Sequence, residues 1–355
     1  MNHKQFKIGK FTFIDRTNMT PEEWRQYRFD GIGGSDVSSI LDLNPYANIT
    51  ELFFEKIGYR QPEDLSSNEA VLWGEEDELK LLIMAQYYDF NAQDRLQYVR
   101  NFRAGKKIRN IVRLNYIIKH EDYPWLIINP DGVEVAMGFT EEDVKRSIEE
   151  LGKIPEIRTI EETKTISGRT ADMWESGIPI GYVGQVSTYQ MPFKEINPDI
   201  SGNIWSKKDG REFEGHPVPW NDTLANRIDE DCAAFWELVK EGKSIMAAGH
   251  TVSQVDHLLD NLAPRPVNPT PNYDEFLSQR LKEKQARTIV CPDEMLELGF
   301  KYLALNQEKK EAENRFDQVK MKIKEFMDIN NALVLDAGKQ GKISFSRRLY
   351  VNIKN

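Results

Sequence analysis

The sequence predicts a mixed α/β (α+β) fold: a central mixed sheet flanked by helices, with a long helix and a β-hairpin added at the C-terminus. Three observations carry this. Residues 69–88 place Leu72, Leu79, Leu82, Ile83 and Tyr87 near helical spacing. Between about 108 and 135 the pattern changes to β-prone runs, IVRLNYIIK and WLIINPDGVEV, and it returns at RTIEETKTI. Beyond a proline-rich stretch, Ala312, Phe316, Val319, Ile323 and Phe326 alternate in steps of 4 and 3, the seam of a coiled coil.

The elements follow in order. PEEWRQYR (21–28) reads as a short helix, with Thr20 as N-cap and Pro21 at the first helical position. It runs into the glycine-rich turn Gly31-Ile32-Gly33-Gly34-Ser35-Asp36, and VSSILDL then reads as another helix. Between WLIINPDGVEV and RTIEETKTI lies the charged segment TEEDVKRSIEELGK, whose Val144, Ile148 and Leu151 mark a helical insertion at about 136–157. IPIGYVGQVSTYQM places Tyr182, Gln185, Val186 and Tyr189 on one helical face, with both tyrosines read as core. A strand at SGNIWSKKD and a hairpin at KDGREFEG follow, then a helix from WNDTLANR to an end near Gly242. The expected division is a core over 1–245, a Pro-rich linker over 246–275 (four prolines in 263–273) and an extension over 276–355.

Composition sets the outer limits. The 355 residues are 40% hydrophobic and 29% charged, enough for a sizeable core and unlike a disordered polar chain. No run approaches the roughly 18 apolar residues of a membrane span. MNHKQFKIGKFTF lacks the apolar block of a signal peptide. Two cysteines, Cys232 and Cys291, support neither a disulfide framework nor a four-cysteine cluster. A soluble, cytoplasmic protein is expected. The net charge of −10 argues against coating nucleic acid by bulk attraction, but a metal site is itself acidic. Residues 295–355 are basic, with 12 Lys/Arg against 8 Asp/Glu. Lys320, Lys322, Lys324, Lys339, Lys342, Arg347 and Arg348 make that stretch a candidate contact for a phosphate backbone.

The strongest chemical signal is Asp131 in Asn129-Pro130-Asp131-Gly132, with Glu162-Thr163-Lys164. Residues two apart on a strand face the same side, so Glu162 and Lys164 project together while Thr163 offers its backbone carbonyl. Two carboxylates and a carbonyl are hard oxygen ligands suited to Mg²⁺, and a neighbouring lysine can orient or deprotonate an attacking water. Glu161 abuts Glu162, so the strand register decides which carboxylate is presented. His120, without a partner nearby in the sequence, reads as structural.

The surrounding string is dense: Trp24-x-x-x-Arg28-x-x-Gly31-Ile32-Gly33-Gly34-Ser35-Asp36, Asn44-Pro45-Tyr46, Trp73-Gly74-x-x-x-Glu78, His120-Glu121-Asp122-Tyr123-Pro124, Pro179-x-x-Tyr182-x-x-Gln185 and Phe235-Trp236-x-x-Val239-x-x-Gly242. In this order, around Asp131 and Glu162-x-Lys164, it resembles the YqaJ-like viral recombinase family over about residues 20–243. That family is the phage alkaline exonuclease group related to λ exonuclease, within the PD-(D/E)xK nucleases. The resemblance implies a restriction-endonuclease-like core and a metal-dependent DNA exonuclease that degrades duplex ends 5′→3′ in phage-type recombination. By it, Asp131, Glu162, Glu78 and the Thr163 carbonyl would hold two Mg²⁺ ions, for which Mn²⁺ could substitute. Lys164 would be the catalytic lysine and Gln185 a glutamine beside the catalytic strands. Arg28, Ser35 and Gly34 would grip the 5′-phosphate, which fits the planar fork of arginine and the close approach of glycine N–H groups. It further implies a ring-like trimer, a single-strand annealing partner, and a phage or prophage setting in a bacterial host. The separation of Asp131 from Glu162, 31 positions, exceeds the family's usual dozen or so by the helical insertion. A structure- or site-specific endonuclease of the same fold, and a catalytically silent DNA-end-binding protein, use the same residues and remain open at this point.

Overall fold

Phe11, Phe13 and Ile14 are buried near the N-terminus, on a strand too short to stand out in the sequence. β1 (Gln5–Ile8) and β2 (Phe11–Asp15) pair antiparallel through a turn at Gly9, whose φ of 58° costs glycine nothing. The structure is a computed structural model that describes residues 3–61, 67–166, 171–175, 177–249, 251–283, 288–345 and 349–353. Two compact units divide the chain, Met1–Glu283 and Lys284–Asn355.

In the first unit α1 (Pro21–Phe29) starts as expected, with a full capping box between Thr20 and Glu23. There follow β3 (Ile32–Gly33), α2 (Gly34–Ile40), α3 (Ile49–Lys56), α4 (Glu69–Ala85) and α5 (Gln97–Arg103). Four strands come next: β4 (Asn110–Val112), β5 (Tyr116–His120), β6 (Tyr123–Ile128) and β7 (Gly132–Val135). The insertion is α6 (Glu141–Glu149), which buries Val144 and Ile148 and packs against β1. β8 (Thr159–Ile166), α7 (Ile180–Phe193), β9 (Ser201–Lys208), β10 (Glu212–Val218) and α8 (Asp222–Ala247) complete the part around the motifs named above. The β9–β10 hairpin turns at Asp209 and Gly210, both at positive φ.

The mixed α+β class holds, with the β-structure shared between two five-stranded sheets flanked by helices. One runs β1-β2-β5-β6-β3 and is antiparallel except for the β3·β6 pair; the other runs β10-β9-β8-β7-β4, with β8·β9 parallel. Asn129-Pro130-Asp131 is the link where the chain leaves β6 in the first sheet and enters β7 in the second. Proline has no N–H for a ladder and favours an extended residue before it, so it suits a crossing between sheets.

Two expectations change. α8 does not stop at Gly242: the helix continues to Ala247, and a Cβ at 242 would meet Ile57 at 2.8 Å and Phe53 at 3.0 Å. This glycine lets α8 lie close to α3. The stretch expected as a linker is packed onto the first unit, together with α9 (Val252–Leu262) and α10 (Pro271–Glu283). Leu259 and Phe276 enter its core, Thr50 Oγ1 donates to the Pro264 carbonyl at 2.5 Å, and Asn48 donates to Asn272 at 2.8 Å. Prolines here fit a chain that tracks a surface, and spacing alone could not reveal the contacts.

The second unit holds α11 (Asp293–Ile329), 37 residues long, and an antiparallel sheet of β11 (Val334–Asp336), β12 (Gly341–Phe345) and β13 (Leu349–Ile353). Phe316, Val319 and Phe326 of the seam are exposed within this unit. Of its basic residues, Lys320 pairs with Asp317 and Lys342 with Asp336, while Arg347 and Arg348 lie outside the described residues.

Candidate metal centre and phosphate pocket

β7 and β8 are neighbours, with Gly132 opposite Glu161. One step further along that register, Asp131 comes opposite Glu162. Asp131 Oδ2 accepts hydrogen bonds from the Thr163 N–H and from Thr163 Oγ1, both at 2.7 Å, which pins the aspartate to the Glu-x-Lys segment. Lys164 Nζ donates to Glu162 Oε1 at 2.6 Å, and Gln185 Nε2 on α7 donates to the same oxygen at 2.6 Å. The other oxygen, Glu162 Oε2, is buried and has no hydrogen-bond partner among the described residues.

The register question is answered by the partners of Glu161. Its carboxyl is fully buried, where it accepts from Asn203 Nδ2 at 3.0 Å, Trp205 Nε1 at 2.5 Å and Thr159 Oγ1. Asn203 and Trp205 alternate on β9, so one face of β8 carries a structural carboxylate and the other carries Glu162 and Lys164.

Charge agrees with this geometry. Burial, then the neighbouring Asp131, pushes the Glu162 carboxyl up to about 8. Glu78, from α4, is raised to about 7 by the same two causes in the same order, although Arg113 and Arg16 pull it down. Lys164 is held above its ordinary value: burial alone would lower it, but Glu162 and Asp131 outweigh that. Three carboxylates meet here, two of them pushed up by burial and by Asp131 and one with a buried oxygen that has no partner among the described residues; they form a donor set that a divalent cation satisfies. The residues present therefore fit Mg²⁺ or a similar hard ion.

A second acidic group, His120, Asp122 and Glu195, has its ligand atoms within 4.8 Å of one another. There Lys10 donates to Asp122 and lies 3.1 Å from Glu195, while His120 Nδ1 accepts the Asp122 N–H and Nε2 contacts Glu195 at 3.2 Å. Lysine already supplies the positive charge, which agrees with a structural histidine.

The other expected residues also meet. Arg28 Nη2 donates to Ser35 Oγ at 3.0 Å and lies 3.3 Å from Asp36 Oδ1. Burial alone would raise Asp36, but Lys56 and Arg28 hold it below the usual carboxylate range. Lys56 Nζ lies 2.7 Å from Asp36 and also donates to the Arg28 and Gly31 carbonyls, so all three of its protons are used. Asp36 in turn accepts the Gly33 N–H at 2.9 Å, fixing the glycine turn. A Cβ on Gly34 would meet Tyr189 Cζ at 2.8 Å and Gln185 Cγ at 3.0 Å, so α2 and α7 touch where the Arg28–Ser35 pair adjoins the carboxylates. Tyr189, expected in the core, is indeed buried, yet its hydroxyl titration is raised by burial and then by Glu162 and Asp131, which places it beside the site. Lys164 Nζ lies 5.2 Å from the Tyr182 ring centroid. Arg16 and Arg113 also neighbour Glu78; neither stood in a recognisable motif.

Residues 23–191 match the YqaJ-like viral recombinase domain family. The chain is 27% identical over 224 residues to "Uncharacterized protein YqaJ" of Bacillus subtilis (strain 168), an alignment covering 62% of this chain and 56% of that protein. It thus spans just over half of that relative's length. Among solved structures it is similar to an alkaline exonuclease (LHK-Exo) from Laribacter hongkongensis, at 15% identity and a TM-score of 0.42, covering 68% of this chain and 98% of that one. The same figures hold for LHK-Exo in complex with dAMP. The motif order, the match over residues 23–191 and the related protein agree: over this stretch the chain is similar to the YqaJ-like viral recombinase domain.

Proposed function

We propose that this protein is a metal-dependent DNA exonuclease that degrades duplex DNA from its ends, 5′→3′, in phage-type recombination. The observation that carries the reading is the buried, partnerless Glu162 Oε2 beside Asp131 and Lys164, next to a pocket built by Arg28 and Ser35. Asp131, Glu162, Glu78 and the Thr163 carbonyl are the groups that would hold Mg²⁺, or Mn²⁺ in its place, at one or two positions. A bound divalent ion would supply a Lewis acid that makes water nucleophilic near neutral pH and offsets phosphate charge. Lys164 stays cationic, orients the attacking water and donates to the charge that develops on the scissile phosphate. Gln185 fixes the rotamer of Glu162 through their 2.6 Å hydrogen bond. Arg28 and Ser35 donate to the terminal 5′-phosphate, with Gly34 beside them at the start of α2. The family resemblance extends the reading to a ring-like trimer around DNA and a single-strand annealing partner.

Arg28→Ala should reduce the preference for a 5′-phosphorylated over a 5′-hydroxyl linear duplex by roughly 10- to 100-fold, the worth of a hydrogen-bonded charge pair. The ratio of digestion rates in Mg²⁺ measures it, and an unchanged ratio rejects the pocket. Circular unnicked plasmid should stay intact; its cleavage would favour an endonuclease.

Metal removal tests the carboxylates. Glu78 and Glu162 titrate at about 7 and about 8 in the folded chain, above their ordinary 4.5. Their contribution to stability is full below that ordinary value and is lost as pH rises through 7 and 8. In chelator the melting temperature should therefore fall between pH 6 and pH 8.5. Added Mg²⁺ should restore it more at pH 8.5, because bound carboxylates must be deprotonated. An equal shift at both pH values, or an undiminished one in Glu162→Gln, would remove the metal from this site.

A further inference from the structure

Arg16 follows β2, its N–H bound to the Asn115 carbonyl at 2.9 Å. Its guanidinium donates through Nη1 to Asn129 Oδ1 and lies 4.4 Å from the Trp24 ring centroid. Both contacts are neutral. Among the described residues Arg16 has no carboxylate within 4.0 Å, whereas Arg28 has Asp36, Arg109 has Glu134 at 3.5 Å and Arg113 has Glu141 at 3.7 Å. A half-buried cation with no carboxylate in direct contact is costly unless an anion arrives to complete it.

Its position says which anion. Asn129 precedes Asp131 by two residues, so their Cα atoms are at most about 7 Å apart. Glu78 lies near enough for its charge to be felt at Arg16. Trp24, over which Arg16 is stacked, stands one helical turn before Arg28 on α1, and residues four apart share a face. Arg16 thus sits on the wall shared by the carboxylate cluster and the Arg28–Ser35 pocket. One of its five donors is used by Asn129, which leaves a planar fork suited to a phosphate.

We propose that Arg16, held by Asn129 and Trp24, binds the phosphodiester adjacent to the scissile one on the strand being cut. This rests on the nuclease reading above and adds a second phosphate contact to it. Arg28 takes the terminal phosphate, and Arg16 sets the reach of the strand across the carboxylates.

The test uses the full-length chain carrying Lys164→Ala to prevent cleavage, with fluorescent 5′-phosphorylated duplexes that each bear one uncharged methylphosphonate linkage at successive positions from the end. With Arg16 present, one linkage near the end should lower affinity about tenfold, as expected for loss of a charged hydrogen bond. Arg16→Gln, which can still contact Asn129, should bind the unmodified duplex about tenfold more weakly and lose no more at that linkage. Its slope of log K against log salt should be smaller by about one. Arg16→Lys should recover the slope and only part of the affinity, since it restores charge without the fork. If Arg16→Gln keeps the full linkage dependence and salt slope, the assignment is overturned while the nuclease reading stands. If the unmutated chain neither binds nor digests duplex ends, the nuclease reading fails and this contact fails with it.

Discussion

Replacing Lys164 by alanine is expected to lower the rate of duplex digestion by roughly 10³-fold, in the range of a lost catalytic donor or acid–base group. The effect should fall on kcat. Lys164 contacts Glu162 and lies over Tyr182. Its removal leaves Asp131 pinned by Thr163 and Glu162 still held by Gln185, so the strands keep their register. DNA affinity should change little, because Arg28 and Ser35 are untouched. Single-turnover digestion of a 5′-phosphorylated duplex, paired with anisotropy in the same buffer, separates the two quantities. Retention of more than a tenth of the activity would mean that the chemistry lies elsewhere.

The second large effect concerns stability. Lys56 and Asp36 are both buried and form an ion pair at 2.7 Å. Lys56→Met should destabilise the protein by about 3–5 kcal/mol, because the remaining carboxylate is left in a site it cannot share with water. Asp36 keeps Arg28 at 3.3 Å, which softens but does not remove the penalty. The double variant Lys56→Met, Asp36→Asn should regain part of the loss. Denaturant unfolding at neutral pH measures both, and a single-variant loss below about 1 kcal/mol, the worth of a surface pair, would contradict the buried-pair account. The same substitution frees the Arg28 and Gly31 carbonyls, so selectivity for the 5′-phosphate should decline along with stability.

The chain shows why some features could be read directly and others could not. Glu162-x-Lys164 was readable because a strand has period two, and Thr20 with Pro21 because a helix start has local chemistry. β1 and β2 escaped notice: a four-residue and a five-residue strand carry little pattern, and the burial of β2 comes with its pairing to β5 far along the chain. Gly242 looked like a helix end because glycine often is one. Its reason for being there is Phe53 on α3 and Ile57 just past that helix's end. The prolines of 263–273 looked like a spacer, although the segment is anchored to residues more than 200 positions earlier.

By itself the sequence determined the element types around the site, the acid, acid–lysine and arginine–serine groups, and the family that their order resembles. These depend on short-range periodicity, turn chemistry and motif order, all written within a few residues of one another. Only the tertiary structure decided that Glu162 rather than Glu161 lies beside Lys164 and Gln185, that Gln185, Tyr189 and Gly34 join the carboxylates to the Arg28–Ser35 pair, and that Arg16 rests on Asn129 and Trp24 with no acid within 4.0 Å among the described residues. Those outcomes rest on contacts between distant segments, whose free energy comes from burial and paired polar groups and leaves no local trace in the chain.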